Sequence, residues 1–270
     1  MAETEFKLPE EVEKATGTAP RELCIVSQPK MGKSSILGSL TTQLDGIVFN
    51  LESGGYEYID CKKVDIYPTH TTSLAEAFKN YTNYRNLLLK NKGKYKYLII
   101  DGLSDLDTLS AIGGTYGYMN TVIGKGFNKK DGKALEFGDP DFKLVTTLPD
   151  GAGYFHTRSW FLNQIEIFRQ IAEYKIYAAH VSDKLVKDGG KEEVTGSEIS
   201  LTGKLKTIFA SKVTSLAKLI ADGDKRYLNF EVLNDSVLAG SRSPKLSGKI
   251  LISEKQKDGA IKTFWENIYN

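Results

Sequence analysis

The chain has 270 residues, of which 40% are hydrophobic, so it can build a sizeable core and is not a mainly disordered protein. The 36 Lys and Arg residues nearly balance the 34 Asp and Glu residues. A formal charge of +2 produces no overall positive field of the kind that indicates nucleic-acid binding. Two widely spaced cysteines, Cys24 and Cys61, form neither a disulfide framework nor a metal knuckle, which favours a reducing compartment. The N-terminal residues lack the apolar core of a signal peptide, and no later stretch approaches the roughly 18 continuous apolar residues of a membrane span. We therefore expect a cytoplasmic protein with no membrane partner.

The first predicted elements are a strand, a tight loop and a helix. Residues 21–27 form a short apolar run that predicts a strand, and from Ser34 to Leu44 apolar and small residues return at helical spacing. The sequence SQPKMGKSS therefore connects the end of a strand to the beginning of a helix.

The next segment predicts further strands and one helix. GIVFNL at 46–51 and VDIYP at 64–68 are predicted strands, and residues 74–88 carry apolar side chains along one helical face. KYLIID at 96–101 lacks alternation, which suits a strand that is covered on both faces in a parallel sheet.

Residues 103–153 have many glycines and no sustained period, so we predict an irregular insertion at about 113–150. The elements predicted beyond it are a helix over 154–174, a strand over 175–180, a polar loop over 182–203, a short helix over 205–210 and a β-hairpin over 212–233. The alternation of strands and helices predicts a three-layer α/β domain with a mainly parallel central sheet and a C-terminal β-hairpin. We divide the chain into an N-terminal extension (1–20), the α/β domain (21–252) and a C-terminal tail (253–270).

The strongest local signal is a variant of the phosphate-binding loop in which Ser27 replaces the first glycine. Backbone N–H groups at the beginning of the helix would point at phosphate oxygens, the Lys33 ammonium would neutralise the β and γ charges, and the Ser34 hydroxyl would ligate Mg²⁺. Gly-Lys-Ser also arises by chance, but the preceding strand and following helix are the context that this mechanism needs. The residues predicted to bind the nucleotide are Pro29, Lys30, Met31, Gly32, Lys33, Ser34 and Ser35.

Asp101 follows four apolar residues and fits the Walker B strand, whose carboxylate holds the magnesium ion through water. An acid at the end of a buried strand is a frequent structural feature, but together with Lys33 and Ser34 it favours a metal site. We therefore predict ATP and Mg²⁺ as cofactors, with Ser34 and Asp101 as the metal ligands.

Polar residues at two other strand ends are candidates for catalysis. Glu52 ends the second predicted strand, where a carboxylate can deprotonate the water that attacks a γ-phosphate; the alternative is a solvated turn residue. Asp105 and Asp107 are weaker candidates for this base because they lie beyond the strand end. His180 closes the strand at 175–180, and its ring could hydrogen-bond the γ-phosphate or the water.

The order of these motifs resembles that of the compact RecA-like ATPases encoded by phages, P-loop proteins of the AAA family built from the RecA core and used in single-strand annealing and recombination. The resemblance covers about residues 20–250 and rests on PKMGKSS, FNLESGG, YLIIDGLSDL, YAAHVSDK and LAGSRS. It implies that Glu52 is the general base and that His180 senses the γ-phosphate. It also implies a RecA-like parallel sheet in which the two Walker strands are neighbours.

In the resembled family, the segments after the Walker B strand and after the sensor strand face DNA, here about 113–143 and 182–206. The first segment interleaves aromatic and basic residues, which could stack bases and neutralise phosphates, although a solvated loop is an equal alternative. These residues are Tyr116, Tyr118, Lys125, Phe127, Lys129, Lys130 and Lys133. The second segment has a weak basic character because glutamates offset its lysines. Its lysines are Lys184, Lys187, Lys191, Lys204 and Lys206.

Arg242, in AGSRSP, could reach the nucleotide of a neighbouring subunit as an arginine finger, although most lone arginines are surface residues. Lys212 is the weaker candidate for this role. Either role would require a homo-oligomer, which we expect.

We therefore expect a Mg²⁺-dependent ATPase that is coupled to single-stranded DNA in phage recombination, repair or replication. It would work in the host cytoplasm, with a single-strand-binding or replication protein as a further partner. Two alternatives stay open: a kinase that transfers the γ-phosphate to a small molecule, and a regulatory module that binds nucleotide with little turnover.

Overall fold

The computed structural model describes residues 17, 19–188, 191–231 and 239–269 of the chain. The strands, in chain order, are β1 Glu22–Ser27, β2 Gly46–Asn50, β3 Lys63–Asp65, β4 Tyr97–Asp101, β5 Lys129–Lys130, β6 Lys133–Ala134, β7 Tyr174–Asp188, β8 Lys191–Ile199, β9 Ser215–Asp222, β10 Lys225–Asn229, β11 Gly240–Ser241, β12 Lys249–Lys255 and β13 Ile261–Thr263. The α-helices are α1 Lys33–Gln43, α2 Leu74–Lys90, α3 Leu103–Met119, α4 Gly153–Ile171 and α5 Leu205–Lys212. Short 3-10 turns are found at Ile123–Gly126, Val145–Thr147, Pro149–Gly151 and Trp265–Asn267. None of the helices in the described ranges combines the length and apolarity needed to cross a bilayer.

A single large sheet organises the domain, in the order β13-β12-β10-β9-β1-β7-β4-β2-β3. The strands from β9 to β3 run parallel, whereas β10, β12 and β13 extend the β9 edge in antiparallel fashion. A mostly parallel sheet with flanking helices is the α/β architecture of P-loop proteins, in agreement with the fold class predicted from the sequence.

Both faces of the sheet are covered, which explains why the central strands are apolar without alternation. Helices α2 to α5 cover one face, where Phe161, Phe168 and Phe209 are fully buried. Helix α1 and the C-terminal segment cover the other face, and the Trp265 indole N–H donates a hydrogen bond to the Ile36 carbonyl of α1 at 3.1 Å. As far as the structure describes it, the segment expected to be a tail (253–270) therefore continues the sheet and closes the core.

The two Walker strands, β1 and β4, are not neighbours, so the expectation taken from the resemblance is wrong. Strand β7 lies between them, with Ser27 of β1 opposite His180, and Asp101 of β4 opposite Ala178. The order of parallel strands follows from packing between distant parts of the chain, which local sequence patterns do not record. The inserted strand brings His180 to the middle of the carboxyl edge of the sheet.

The irregular insertion predicted at 113–150 is wrong in its first part, because α3 continues to Met119. Gly113 and Gly114 lie inside this helix where it crosses α4. A Cβ on Gly113 would come within 2.1 Å of the Trp160 ring, and one on Gly114 within 2.8 Å of the Thr157 backbone nitrogen. These glycines allow a close helix crossing and do not end the helix.

The loop predicted at 182–203 is also replaced by regular structure. Beyond His180, β7 leaves the sheet and pairs with β8 in an antiparallel ribbon, beginning with Val181 opposite Ile199. The hairpin predicted at 212–233 corresponds to β9 and β10, which pair antiparallel; residues 232–238 lie outside the described residues.

Replacing Gly114 with Ala should lower the free energy of unfolding by about 1–3 kcal/mol, because the new methyl group would overpack the α3–α4 crossing. Gly117 is the matched control: it is exposed in the same helix, with open space at its Cβ position. Gly117→Ala should stabilise the protein by about 0.5–1 kcal/mol through helix propensity. Urea titrations of both variants would measure the difference, and equal effects would contradict the tight crossing.

Candidate active site

The loop between β1 and α1 has the backbone of an anion-binding site. Lys30 and Gly32 adopt left-handed conformations, with φ of 62° and 85°. Gly32 precedes the first turn of α1, which contains no acidic residue, and no side chain of the described residues caps this helix end. The free N–H groups and the positive end of the helix dipole are therefore available to a phosphate group.

Lys33 lies below this loop between two carboxylates from different strands. Its Nζ is 2.9 Å from Glu52 Oε1 and 2.9 Å from Asp101 Oδ1, and the residue is only 7% exposed. Burial acts to lower the pKa of Lys33, but Asp101 and Glu52 outweigh it, so that the pKa is raised above its ordinary value. The ammonium therefore stays charged in the absence of phosphate.

Glu52 is held in place by the turn that follows β2. Its backbone N–H donates to Asn50 Oδ1 at 3.2 Å, and the Asn50 amide group donates in turn to Asp65 Oδ1 of β3 at 2.7 Å. The Glu52 carboxylate also contacts His180, whose Nε2 is 3.1 Å from Oε1. The other ring nitrogen, Nδ1, is buried and finds no hydrogen-bond partner among the described residues. The structure thus brings four of the predicted site residues together, namely Lys33, Glu52, Asp101 and His180.

Asp101 is fully buried, and its two oxygens have different neighbours. Oδ2 accepts a hydrogen bond of 2.6 Å from the hydroxyl of Tyr56, whereas Oδ1 faces Lys33 but makes no regular hydrogen bond among the described residues. Tyr56 was not identified from the sequence, because no motif marks it.

Asp105 is a fifth member of this cluster. Its side chain and that of Glu52 both lie against Gly102: a Cβ added to this glycine would be 2.9 Å from Glu52 Cγ and 3.0 Å from Asp105 Oδ2. Burial and the nearby Glu52 carboxylate raise the pKa of Asp105 to about 6, while Lys33 acts to lower it. Asp107 has a different role, since it accepts the backbone N–H of Thr202 at 2.7 Å and fixes the segment after β8.

The residues at this edge fit a magnesium ion that is shared with phosphate oxygens. The described residues contain no cluster of three or more carboxylate, histidine or cysteine side chains that would hold a metal on their own. Asp101 Oδ1 is a buried carboxylate oxygen without a regular hydrogen bond in the part of the chain that the structure describes, and Ser34 lies in the first turn of α1. Mg²⁺ typically takes one or two protein oxygens and completes its shell with phosphate oxygens and water, which suits Ser34 and Asp101.

Arg242 and Lys212 are not brought to this site. The Arg242 guanidinium donates to the Ser211 carbonyl at 2.8 Å, and β11 pairs with Ser215 at the beginning of β9. Ser215 is paired with Leu23, near the beginning of β1. Arg242 and Lys212 therefore lie toward the edge of the sheet opposite the phosphate loop. A role of Arg242 in a neighbouring subunit stays a prediction.

A different arginine lies beside the loop. Arg226, at the beginning of β10, donates from Nε to the carbonyl of Met31 at 3.3 Å and from Nη1 to two backbone carbonyls of its own hairpin. It helps to hold the loop against the sheet, and no motif in the sequence indicated this contact.

Most of the aromatic residues expected to face DNA pack against the protein. Tyr116 stacks on Phe78, and Tyr118 contacts the rings of Phe127 and His156. Four lysines of this segment are exposed, namely Lys125, Lys129, Lys130 and Lys133. In the second segment Lys206 pairs with Glu198, and the side chains of Lys184, Lys187 and Lys191 lie outside the described residues.

Comparison with known families identifies the family of this chain. A family model described as an AAA domain matches residues 19–243, from just before β1 to the end of β11 and its flanking residues. This range contains the phosphate loop, Glu52, Asp101 and His180. A search of curated proteins finds no match.

The pKa of Asp105 gives the stability of the protein a defined pH dependence. Because its folded-state pKa of about 6 lies above the unfolded value of 3.8, the folded state holds this proton more tightly, and the contribution of Asp105 to stability falls as the pH rises between about 4 and 6. Asp105→Asn should therefore raise the free energy of unfolding at pH 8 by about 2–3 kcal/mol and change it little at pH 4. Urea titrations of both proteins at the two pH values would measure this, and a difference independent of pH would contradict it.

Proposed function

The chain belongs to the AAA-domain family, and from this premise we propose that it binds ATP with Mg²⁺ and hydrolyses it at the cluster around Lys33. The observation that carries the proposal is the buried Lys33 ammonium, held 2.9 Å from each of two carboxylates below a helix N-terminus with free N–H groups. A lysine, a carboxylate that activates water and a carboxylate that holds the metal are the groups that phosphoryl transfer to water requires.

Binding of the triphosphate would exchange the partners of Lys33. The phosphate oxygens would accept hydrogen bonds from the first-turn N–H groups of α1 and from the Lys33 ammonium. The ammonium would then move away from the carboxylates of Glu52 and Asp101. When bound, Mg²⁺ would lie with Ser34 and Asp101 and neutralise charge on the phosphate groups. Each carboxylate would then be free for its own role.

Glu52 would act as the general base. It would accept a proton from the attacking water while the bond from the water oxygen to the γ-phosphorus forms and the bond from that phosphorus to the ADP oxygen breaks. His180, whose Nε2 is 3.1 Å from Glu52 Oε1, would orient this carboxylate and would sense the γ-phosphate.

Two substitutions separate binding from hydrolysis. Lys33→Ala should abolish both ATP binding and turnover, because the phosphates lose their buried counter-charge. Glu52→Gln should reduce turnover by about 10²–10⁴-fold, the typical contribution of a general base. Its ATP affinity should not fall, because the substitution removes a carboxylate that competes for Lys33. Equilibrium binding of labelled ATP and phosphate release would measure the two effects, and equal loss of affinity in both variants would contradict the assigned roles.

We also propose that the domain is of the RecA-like type and that its hydrolysis is coupled to single-stranded DNA. The support is positional: β7 carries His180 and continues as the β7–β8 ribbon past the sheet edge, and α3 begins next to Asp101 and leads to the segment with exposed lysines. A homo-oligomer and a role in phage recombination rest on the resemblance of the motifs alone.

Single-stranded DNA should therefore stimulate phosphate release at low salt, and the stimulation should weaken at high salt because lysine contacts to DNA phosphates release counterions. Phosphate release measured with and without DNA at two salt concentrations tests this. Absence of stimulation at low salt would contradict the coupling, and ADP release that depends on an added small-molecule acceptor would indicate a kinase instead.

A further inference from the structure

We propose that Tyr56 is the positioning residue of the metal-binding carboxylate: its hydroxyl holds Asp101 so that Oδ1 stays turned toward the phosphate loop when Lys33 leaves. The inference rests on the proposed function, because it assigns Asp101 to magnesium. Tyr56 itself touches neither nucleotide nor metal in this role.

The contact between the two side chains is short and shielded from water. The Tyr56 hydroxyl donates to Asp101 Oδ2 at 2.6 Å, and the two residues are 2% and 0% exposed. The Tyr56 ring packs against α1, where a Cβ on Gly38 would lie 3.7 Å from the ring carbon Cε1. A hydrogen bond to an ionised carboxylate in a buried environment is strong, and the packed ring fixes its direction.

The two oxygens of Asp101 are divided between two partners. Oδ2 is held by Tyr56, and Oδ1 faces the Lys33 ammonium at 2.9 Å. Once Lys33 moves to the phosphates, the bond from Tyr56 is the contact that keeps the carboxylate from rotating. Oδ1 then stays directed toward the loop, where it can hold a water molecule of the metal shell.

The turn that carries Tyr56 touches both proposed metal ligands. Gly54 and Gly55 are left-handed, with φ of 84° and 89°, and place Tyr56 beneath β4. A Cβ on Gly55 would lie 3.5 Å from Ser34 Oγ, so this turn lies against Ser34 as well as Asp101. Since Glu52 begins the same turn, one short segment carries the proposed base and Tyr56 and lies against both proposed metal ligands.

Tyr56→Phe removes the hydroxyl and keeps the ring. We expect it to bind labelled ADP in EDTA within about twofold of the unmodified protein and to need about 10- to 100-fold more Mg²⁺ to reach the magnesium-dependent affinity, as for other residues that orient metal ligands. Tyr81→Phe is the matched control, because Tyr81 is also fully buried and donates to Gln164 Oε1 at 2.9 Å, away from the site. Its magnesium dependence should not change.

Fluorescence titrations of labelled ADP, with Mg²⁺ varied, give these values without measuring catalysis. Unchanged magnesium dependence in Tyr56→Phe, or equal loss of affinity in EDTA and in Mg²⁺, would overturn the inference while leaving nucleotide binding intact. If the unmodified protein binds no nucleotide, the proposed function and the inference both fail.

A second experiment compares two variants that both lack the Asp101 carboxylate, so its outcome does not depend on whether Tyr56→Phe alone folds correctly. If Tyr56 acts through Asp101, Asp101→Asn and the double variant Asp101→Asn/Tyr56→Phe should show the same magnesium dependence, within about twofold. A further tenfold loss in the double variant would show that Tyr56 acts by another route and would overturn the assignment.

Discussion

The ion pairs of Lys33 with Glu52 and Asp101 are the interaction on which the rest of the site depends. A buried ammonium is stable only when it is paired, and here the two carboxylates come from the ends of two neighbouring parallel strands. The same pairs hold both carboxylates beside the phosphate loop before any phosphate is present. An incoming phosphate group must compete with these carboxylates for the ammonium. The affinity for nucleotide therefore depends on how much stronger the phosphate–ammonium interaction is than the carboxylate–ammonium pairs that it replaces.

The charges around Lys33 also explain why a triphosphate would need a metal ion. Glu52, Asp101 and Asp105 surround one ammonium, so a polyanion enters a region that already has an excess of carboxylates. Three features limit the repulsion: the helix N-terminus, the buried proton donor Tyr56 and the raised pKa of Asp105, which makes one carboxylate partly neutral near pH 6. A divalent cation would supply the remaining positive charge.

The opposite edge of the same strands has a structural role. Arg169 of α4 makes a paired hydrogen bond to the nearly buried Glu22 at the beginning of β1, with distances of 2.9 and 2.8 Å, and Tyr177 of β7 donates to the same carboxylate. This network connects β1, β7 and a helix away from the candidate site. The carboxyl edge, which holds the candidate site, is therefore supported by strands that are fixed at their other end.

The sequence by itself determined the α/β class, the phosphate loop and the positions of Glu52, Asp101 and His180, because each depends on a short pattern: an apolar run that ends in a polar residue. Contacts between distant segments were decided only in the tertiary structure. The strand order places β7 between the Walker strands, and the glycines at 113 and 114 serve a helix crossing that no local pattern distinguishes from a break. Tyr56 and Arg226 acquire their roles from packing against β4 and the phosphate loop, whereas Arg242 lies at the other edge. Local patterns report which backbone a segment adopts, but the partners of a side chain depend on which segments the fold brings beside it.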